Sequence, residues 1–282
     1  MAVLMDGKAL AKELKSEVAK RAEHLRGKGI VPGLAVILVG EDPASAVYVR
    51  NKEKDCEECG ISGTVHRLPA DATQEALLVQ IARLNVDHAV HGILVQQPLP
   101  EGIDPFVAVY AVDPSKDVDA LHPRNAGLIA LDRPHFLPCT PAGVMVLLDK
   151  YGVGLRGKRA VVVGRSHIVG KPMAQMLLGR DATVTVCHSR TPDLGALTRQ
   201  ADVLISAAGK IGLITGDMIK PGAAVIDVGV SKKADGKLAG DVVFAEAERV
   251  ASYITPVPGG VGPMTRAILM KNTITAAVEE TT

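Results

Sequence analysis

The strongest constraint on this chain is a series of uninterrupted apolar runs of strand length, separated by segments with helical periodicity. Leu34–Val39 (LAVILV), Ala89–Val95, Arg159–Val163, Ala182–Cys187, Val203–Ala207 and Ala224–Val228 all read as strands, with a shorter one at Thr64–Leu68. A strand with one wet face alternates apolar and polar residues, whereas a strand covered on both faces reads as a continuous run. The intervening segments suit that role. In Thr73–Leu84, residues Leu77, Leu78, Ile81 and Leu84 share one helical face, and Ser45–Cys59 forms another helix, closed by Gly60. Aromatic residues are 2 % and Trp is absent, so the core must be built from Val, Ile, Leu and Ala. The chain is therefore α/β, with parallel sheets covered by helices.

At 282 residues it is long enough for two domains, each with its own core. The stretch from Gln96 to Pro141 marks a junction. Pro98, Pro100, Pro105, Pro114, Pro123, Pro134, Pro138 and Pro141 crowd it, with little regular period beyond a short helix near Phe106–Val112. A helix at Ala142–Tyr151 opens the second strand–helix series, and Pro263 starts a last helix to Glu280. The expected arrangement is two α/β lobes with a cleft between them, where small-molecule sites concentrate. Residues 1–140 are expected to form one domain, with 263–282 packing back on it, and 141–262 the second.

A net charge of +1 gives no general attraction to nucleic acid or to an anionic membrane. The apolar runs fall well short of the roughly 20 residues of a membrane span. Near the N-terminus Leu10, Leu14, Val18, Ala22 and Leu25 recur at helical spacing, with Glu13, Glu17 and Glu23 among the lysines. That is an amphipathic helix rather than a signal or transit peptide, and the expected compartment is the cytoplasm. Cys56 and Cys59 have CxxC spacing, but they fall inside a predicted helix with no second pair to complete a zinc site. No metal site is expected, and these thiols read as buried.

Val161-Val-Val-Gly164-Arg-Ser-His-Ile-Val-Gly170 is a strand, a glycine turn and the start of a helix. A turn with little side chain lets a helix N-terminus approach a pyrophosphate and stabilise it with free N–H groups. The spacing is GxxxxxG rather than GxGxxG, so its meaning rests on that context. It points to a C-terminal lobe that is a Rossmann-type parallel-sheet nucleotide-binding domain. The next strand ends in Cys187-His188-Ser189-Arg190, without the acid that holds a ribose 2′-hydroxyl. Ser189, Arg190 and Arg165 can instead hold a 2′-phosphate, which makes NADP the expected cofactor. A solvated loop role for Arg190 stays open.

Tyr48 and Lys52 stand at i and i+4, on one face of the Ser45–Cys59 helix. Alone, such a pair is commonly a surface pair. Around it stand Val95-Gln96-Gln-Pro-Leu-Pro100, Lys116-Asp-Val-Asp119, Gly164-Arg-Ser166 and Pro258-Gly-Gly-Val-Gly-Pro-Met-Thr265. Together, in this order and over essentially the full length, these segments closely resemble the bifunctional methylenetetrahydrofolate dehydrogenase/methenyltetrahydrofolate cyclohydrolase family. The resemblance implies oxidation of 5,10-methylenetetrahydrofolate with NADP, hydrolysis of the methenyl product to 10-formyltetrahydrofolate, and a homodimer. It implies that Lys52 is the catalytic lysine, Gln96 its hydrogen-bond partner, Asp119 the anchor of the pterin, and Tyr48 a packing surface for the folate. It places Val95, Pro258, Gly259, Gly260, Val261 and Gly262 in the substrate pocket, and Gly164, Arg165, Ser166, Ser189 and Val230 at cofactor positions. Ala120 departs from the pattern, since the family commonly has Gly there; Gln97 has no assured counterpart.

The residue types suit the implied chemistry. Hydride transfer requires mainly that two bound molecules be oriented. Hydrolysis requires proton transfer, and a lysine can accept a proton only when it is neutral for part of the cycle. Burial or a neighbouring cation lowers its proton affinity towards that condition. His122, His167 and His188 read as loop or pocket-edge residues, and Arg124 and Asp227 as structural. Three rivals remain: a non-catalytic nucleotide-binding protein, a dehydrogenase of an amino or hydroxy acid, and a folate dehydrogenase with little cyclohydrolase activity. The first leaves Lys52, Gln96 and Asp119 without a reason, and the second lacks an acid/base residue in the nucleotide lobe.

Overall fold

The computed structural model describes residues 1–279, and for Pro43 and Ala44 the backbone alone. In chain order the elements are β1 (Val3–Leu4), α1 (Gly7–Arg26), β2 (Gly33–Val39), α2 (Pro43–Cys59), β3 (Ser62–Leu68), α3 (Gln74–Asn85) and β4 (Gly92–Val95). Three helices follow: α4 (Pro105–Ala111), α5 (Pro123–Ala130) and α6 (Cys139–Lys150). The second series is β5 (Arg159–Val163), α7 (Gly170–Leu178), β6 (Thr183–Cys187), α8 (Leu194–Thr198), β7 (Val203–Ser206) and β8 (Ala224–Asp227). It ends with a small hairpin of β9 (Ser231–Lys232) and β10 (Leu238–Ala239), then α9 (Phe244–Ala247), β11 (Tyr253–Ile254) and α10 (Val261–Glu279). The expected helix end at Glu280 lies outside the described residues. Among the described residues no helix is long and apolar enough to cross a membrane.

The chain divides into two compact units. One comprises Met1–Ala11 with Thr140–Thr265, the other Lys12–Cys139 with the residues from Arg266 onward. The first holds a six-stranded sheet in the order β1-β11-β8-β7-β5-β6, parallel throughout. Its register sets Val161 of β5 beside Thr185 on one side and Leu204 on the other. Val161, Val163, Leu204, Val225, Ile214 and Ile254 build the core against one face. The order of strand addition switches sides at β5, with β6 on one side and β7 on the other, the position where α/β sheets bind ligands at strand C-termini.

The second unit has a three-stranded parallel sheet, β3-β2-β4. All seven residues of central β2 are buried, as its continuous apolar run requires. Its core pairs Ala35, Ile37 and Ile93 with Leu77 and Ile81 of α3. The strand expected at Ala89–Val95 begins only at Gly92, because the Val90 N–H closes a turn onto the Asp87 carbonyl (3.1 Å) and the Gly33 N–H goes to the ring Nδ1 of His91 (3.0 Å).

The proline-crowded stretch is more regular than expected. Only one short helix was legible there, yet α5 is also present and α6 begins within the stretch, at Cys139. Pro105 and Pro123 are the reason. Each is a first-turn residue behind a side-chain cap: Asp104 accepts from the Phe106 N–H (2.8 Å), and His122 Nδ1 accepts from the Arg124 N–H (3.0 Å). Proline lacks an N–H that would be unpaired at that position anyway, so it starts helices as well as breaking them.

Candidate active site

Lys52 is positioned by a firmly delimited helix. Asp42 caps α2 by accepting the Ser45 N–H at 2.7 Å, and Gly60 ends it at φ +68°, the left-handed conformation glycine adopts without cost. From this helix Lys52 Nζ donates to Gln96 Oε1 at 2.6 Å. Gln96 follows β4 directly, after Val95, and its backbone N–H extends the ladder to the Ile37 carbonyl (2.9 Å). The amide N–H of Gln96 is committed to the Gln97 carbonyl (2.6 Å), which leaves the oxygen to face the amine. The Gln97–Pro98 peptide is cis. Tyr48 lies one turn before Lys52 on the same helix, about half exposed.

Burial holds the proton affinity of Lys52 below the ordinary lysine value. The nearby Arg266 guanidinium pushes the same way, while the Asp119 carboxylate opposes both. Neutral amine is thus available at a lower pH than in a free lysine.

The Lys116–Asp119 segment is secured residue by residue. Lys116 is buried and donates from Nζ to the Asp87 carbonyl (2.8 Å) and the Leu84 carbonyl (3.3 Å), capping the end of α3. The buried Asp117 carboxylate gathers the following turn, accepting from His122 N (2.7 Å), Asn125 Nδ2 (2.8 Å) and Leu121 N (3.2 Å). The Val118 carbonyl accepts from Asn272 Nδ2 of α10 (2.8 Å), which also donates to the Leu137 carbonyl (3.0 Å). Asp119 emerges from this frame only partly buried, while the Cys139 thiol donates to the Val118 carbonyl at 3.5 Å. Ala120 adopts φ +57°. The position where the family commonly has glycine is therefore a left-handed one.

In the other unit, Gly164 follows β5 at φ +122°, and a Cβ there would stand 2.3 Å from the Ala207 carbonyl oxygen. A Cβ on Gly170 would meet the Gly164 carbonyl oxygen at 2.2 Å. Both glycines are thus required for the close turn from β5 into α7. Ser166 Oγ accepts from the Val169 and Gly170 N–H groups (3.2 and 3.3 Å), ordering the helix start. Arg165, Ser166, Ser189, Arg190 and Val230 are all exposed. This is a backbone cradle at the C-terminal end of β5, with two guanidinium groups open to solvent beyond it, and it fits a nucleotide with an extra phosphate. His188 accepts the Arg190 N–H on Nδ1 (3.2 Å) and so shapes the loop, while His167 is exposed. Asp227 is structural: its buried carboxylate accepts from Gly229 N, Asp241 N and Val242 N.

The Pro258–Gly262 loop belongs to this same unit. Val257–Pro258 is cis, Gly259 stands at φ +110°, and the Gly260 N–H returns to the Pro256 carbonyl (2.8 Å). Lys8 N donates to the Gly259 carbonyl (2.9 Å), and a Cβ on Gly7 would lie 1.8 Å from the Gly260 carbonyl oxygen. Gly7 therefore fixes the loop by contact, a role sequence reading missed. Asn272, Cys139 and Arg266 were missed as well, since they are distant in sequence from the segments they support. The four cysteines are free and buried, and burial pushes the Cys56 and Cys59 thiols up to about 12.

Comparison with known proteins agrees with this geometry. The tetrahydrofolate dehydrogenase/cyclohydrolase catalytic-domain model matches residues 5–119, and the NAD(P)-binding-domain model of the same family matches residues 138–281. The bifunctional protein FolD of Moorella thermoacetica is 58 % identical over 98 % of this chain and 99 % of its own. The crystal structure of the bifunctional FolD enzyme from Campylobacter jejuni superposes with a TM-score of 0.98 at 51 % identity, over 99 % of this chain and 100 % of that one. The Trypanosoma brucei FolD structure, complexed with NADP cofactor and inhibitor, gives 0.95 at 46 % identity, over 99 % of this chain and 98 % of that one. This chain belongs to the tetrahydrofolate dehydrogenase/cyclohydrolase family.

Proposed function

We propose that this protein oxidises 5,10-methylenetetrahydrofolate to the 5,10-methenyl compound with NADP and then hydrolyses that product to 10-formyltetrahydrofolate. The observation that carries the reading is the Lys52–Gln96 hydrogen bond of 2.6 Å, with the Lys52 proton affinity lowered by burial beside Asp119. Family membership and the relatives named bifunctional support both activities.

NADP, when bound, supplies the acceptor for the hydride leaving the one-carbon bridge. Gly164, Arg165 and Ser166 would hold its pyrophosphate side and Ser189 and Arg190 the 2′-phosphate, with Val230 a further cofactor position. Tyr48 packs on the folate, Asp119 accepts from the pterin N–H groups, and the family resemblance assigns Val95, Pro258, Gly259, Gly260, Val261 and Gly262 to substrate binding. In hydrolysis, neutral Lys52 takes a proton on Nζ from the water attacking the methenyl carbon. It returns that proton to the ring nitrogen as the carbon–nitrogen bond breaks, and the hydroxyl proton of the adduct leaves to solvent as the formyl carbonyl forms. Gln96 keeps the amine aimed during both transfers. On this reading residues 1–140 with 263–282 carry the folate chemistry, and 141–262 carry the nucleotide.

The protein is further read as a cytoplasmic homodimer. Four free, buried thiols suit a reducing compartment. Strand β6 is an edge of the six-stranded sheet, with Val186 39 % and Leu178 65 % exposed beside it, and an open edge of this kind is normally covered.

The direct test is an absorbance assay with methylenetetrahydrofolate, offering NADP and NAD in parallel and following reduced cofactor and methenyl compound together. Turnover with NADP, with little methenyl accumulation, is expected. Ser189→Ala combined with Arg190→Ala should weaken NADP more than NAD, and an equal loss for both contradicts the 2′-phosphate assignment.

A further inference from the structure

We propose that Arg266, held against Asp55, is a positioning residue for the hydrolytic step: its fixed positive charge near Lys52 keeps the amine available as a base. The inference rests on the reading of Lys52 given above. Asp55 follows Lys52 by three residues on α2, so the two share a side of the helix one turn apart. Its side chain is almost wholly enclosed, with a cation at each oxygen. Arg266 Nη1 lies 3.0 Å from Oδ2, and Lys15 Nζ lies 3.0 Å from Oδ1. Lys15 also pairs with Glu58 on the next turn. The enclosed carboxylate draws the guanidinium to one place by charge, without a hydrogen bond at Oδ2, so the Arg266 charge acts from beside Asp55.

The groups that act electrostatically on Lys52 are Asp119, Cys139, Arg266 and Cys56. Both thiols are neutral at working pH: burial pushes Cys56 up to about 12 and Cys139 well above the usual thiol range. Of the groups named this leaves Asp119 as the anion and Arg266 as the cation, with Asp55 beside Arg266 as a second anion. Asp119 draws the proton onto Lys52, an unwanted consequence of placing a carboxylate where the pterin needs an acceptor. Arg266 works against it. Asp55 in turn moderates Arg266, so the pair sets how strongly Lys52 is discharged.

The test is the pH dependence of methenyltetrahydrofolate hydrolysis for the wild type, Arg266→Gln, Arg266→Lys and Asp55→Asn, with hydride transfer measured on the same preparations. Hydrolysis rises with pH as Lys52 becomes neutral. Arg266→Gln should move that rising limb to higher pH by about half a unit or more. Arg266→Lys should restore it, and Asp55→Asn should move it to lower pH, because Arg266 is then less compensated. The rising limb of Arg266→Gln staying at the wild-type pH, or Asp55→Asn shifting in the same direction as Arg266→Gln, overturns the proposal. If Asp55→Asn fails to fold, the two Arg266 variants decide alone. Lys52→Met separates the two levels of the argument. Hydrolysis surviving in Lys52→Met removes the reading of Lys52 and this proposal with it. Its loss there, with the limb unmoved in Arg266→Gln, removes only the proposal.

Discussion

The carbonyls of Val118 and Leu137 both accept from the one amide of Asn272, and the Cys139 thiol also reaches the Val118 carbonyl at 3.5 Å. Replacing Asn272 by Leu keeps the volume but leaves the Leu137 carbonyl without that donor and the Val118 carbonyl with only the weak thiol, together roughly 2–4 kcal/mol. Asn272→Leu should therefore lower stability towards denaturant by about 2–4 kcal/mol. It should also raise the folate KM more than it lowers kcat, since Asp119 is held through Val118; an unchanged KM would remove Asn272 from that support. Ala120 shows how opposing terms of this size cancel. Its left-handed backbone costs roughly 1–2 kcal/mol. Against glycine it gains roughly 0.5–1 kcal/mol of chain entropy, and about 0.8 kcal/mol from its buried methyl. Lys52, Gln96 and Asp119 were singled out by the resemblance of the segments that carry them, and the structure joins the first two by a hydrogen bond. Asn272 was not, because its partners lie 154 and 135 residues away along the chain.

At the scale of elements, the strands were the readable part and the starts of helices the less readable. The apolar runs 34–39 and 159–163 lie in β2 and β5, because burial on both faces leaves no room for polar residues. The two-residue strands β1 and β11 are too short to carry a period, and they complete the six-stranded sheet only through tertiary pairing. Pro105 and Pro123 show the limit of reading proline by density alone, since the cap in front of each decides its effect. The start of α1 carries a sharper prediction. Gly7 has no room for a methyl group against the Gly260 carbonyl, with 1.8 Å to its oxygen. Gly7→Ala must shift either α1 or the Pro258–Gly262 loop, at about 2–3 kcal/mol of stability. Stability equal to the wild type would mean that the loop has another resting place.

Over the whole molecule, the near absence of aromatic residues makes both cores aliphatic, and all four thiols are sealed within the fold. Burial raises each of them above the ordinary thiol value. A thiolate-selective reagent at pH 8 should therefore titrate few of the four in the native protein and all of them after unfolding; rapid native labelling of two or more would contradict that burial. The division into two units matches the two-step chemistry proposed. The nucleotide cradle and the Lys52 site are built on separate sheets, so the hydrolytic base can be removed without touching the cradle. Lys52→Met is the most direct measurement of that claim, because methionine keeps the length and apolar stem while deleting the amine. Offered methylenetetrahydrofolate and NADP, this variant should still form reduced cofactor while methenyltetrahydrofolate accumulates, its hydrolysis slowed by about 100-fold or more. Hydrolysis at the wild-type rate would contradict the account.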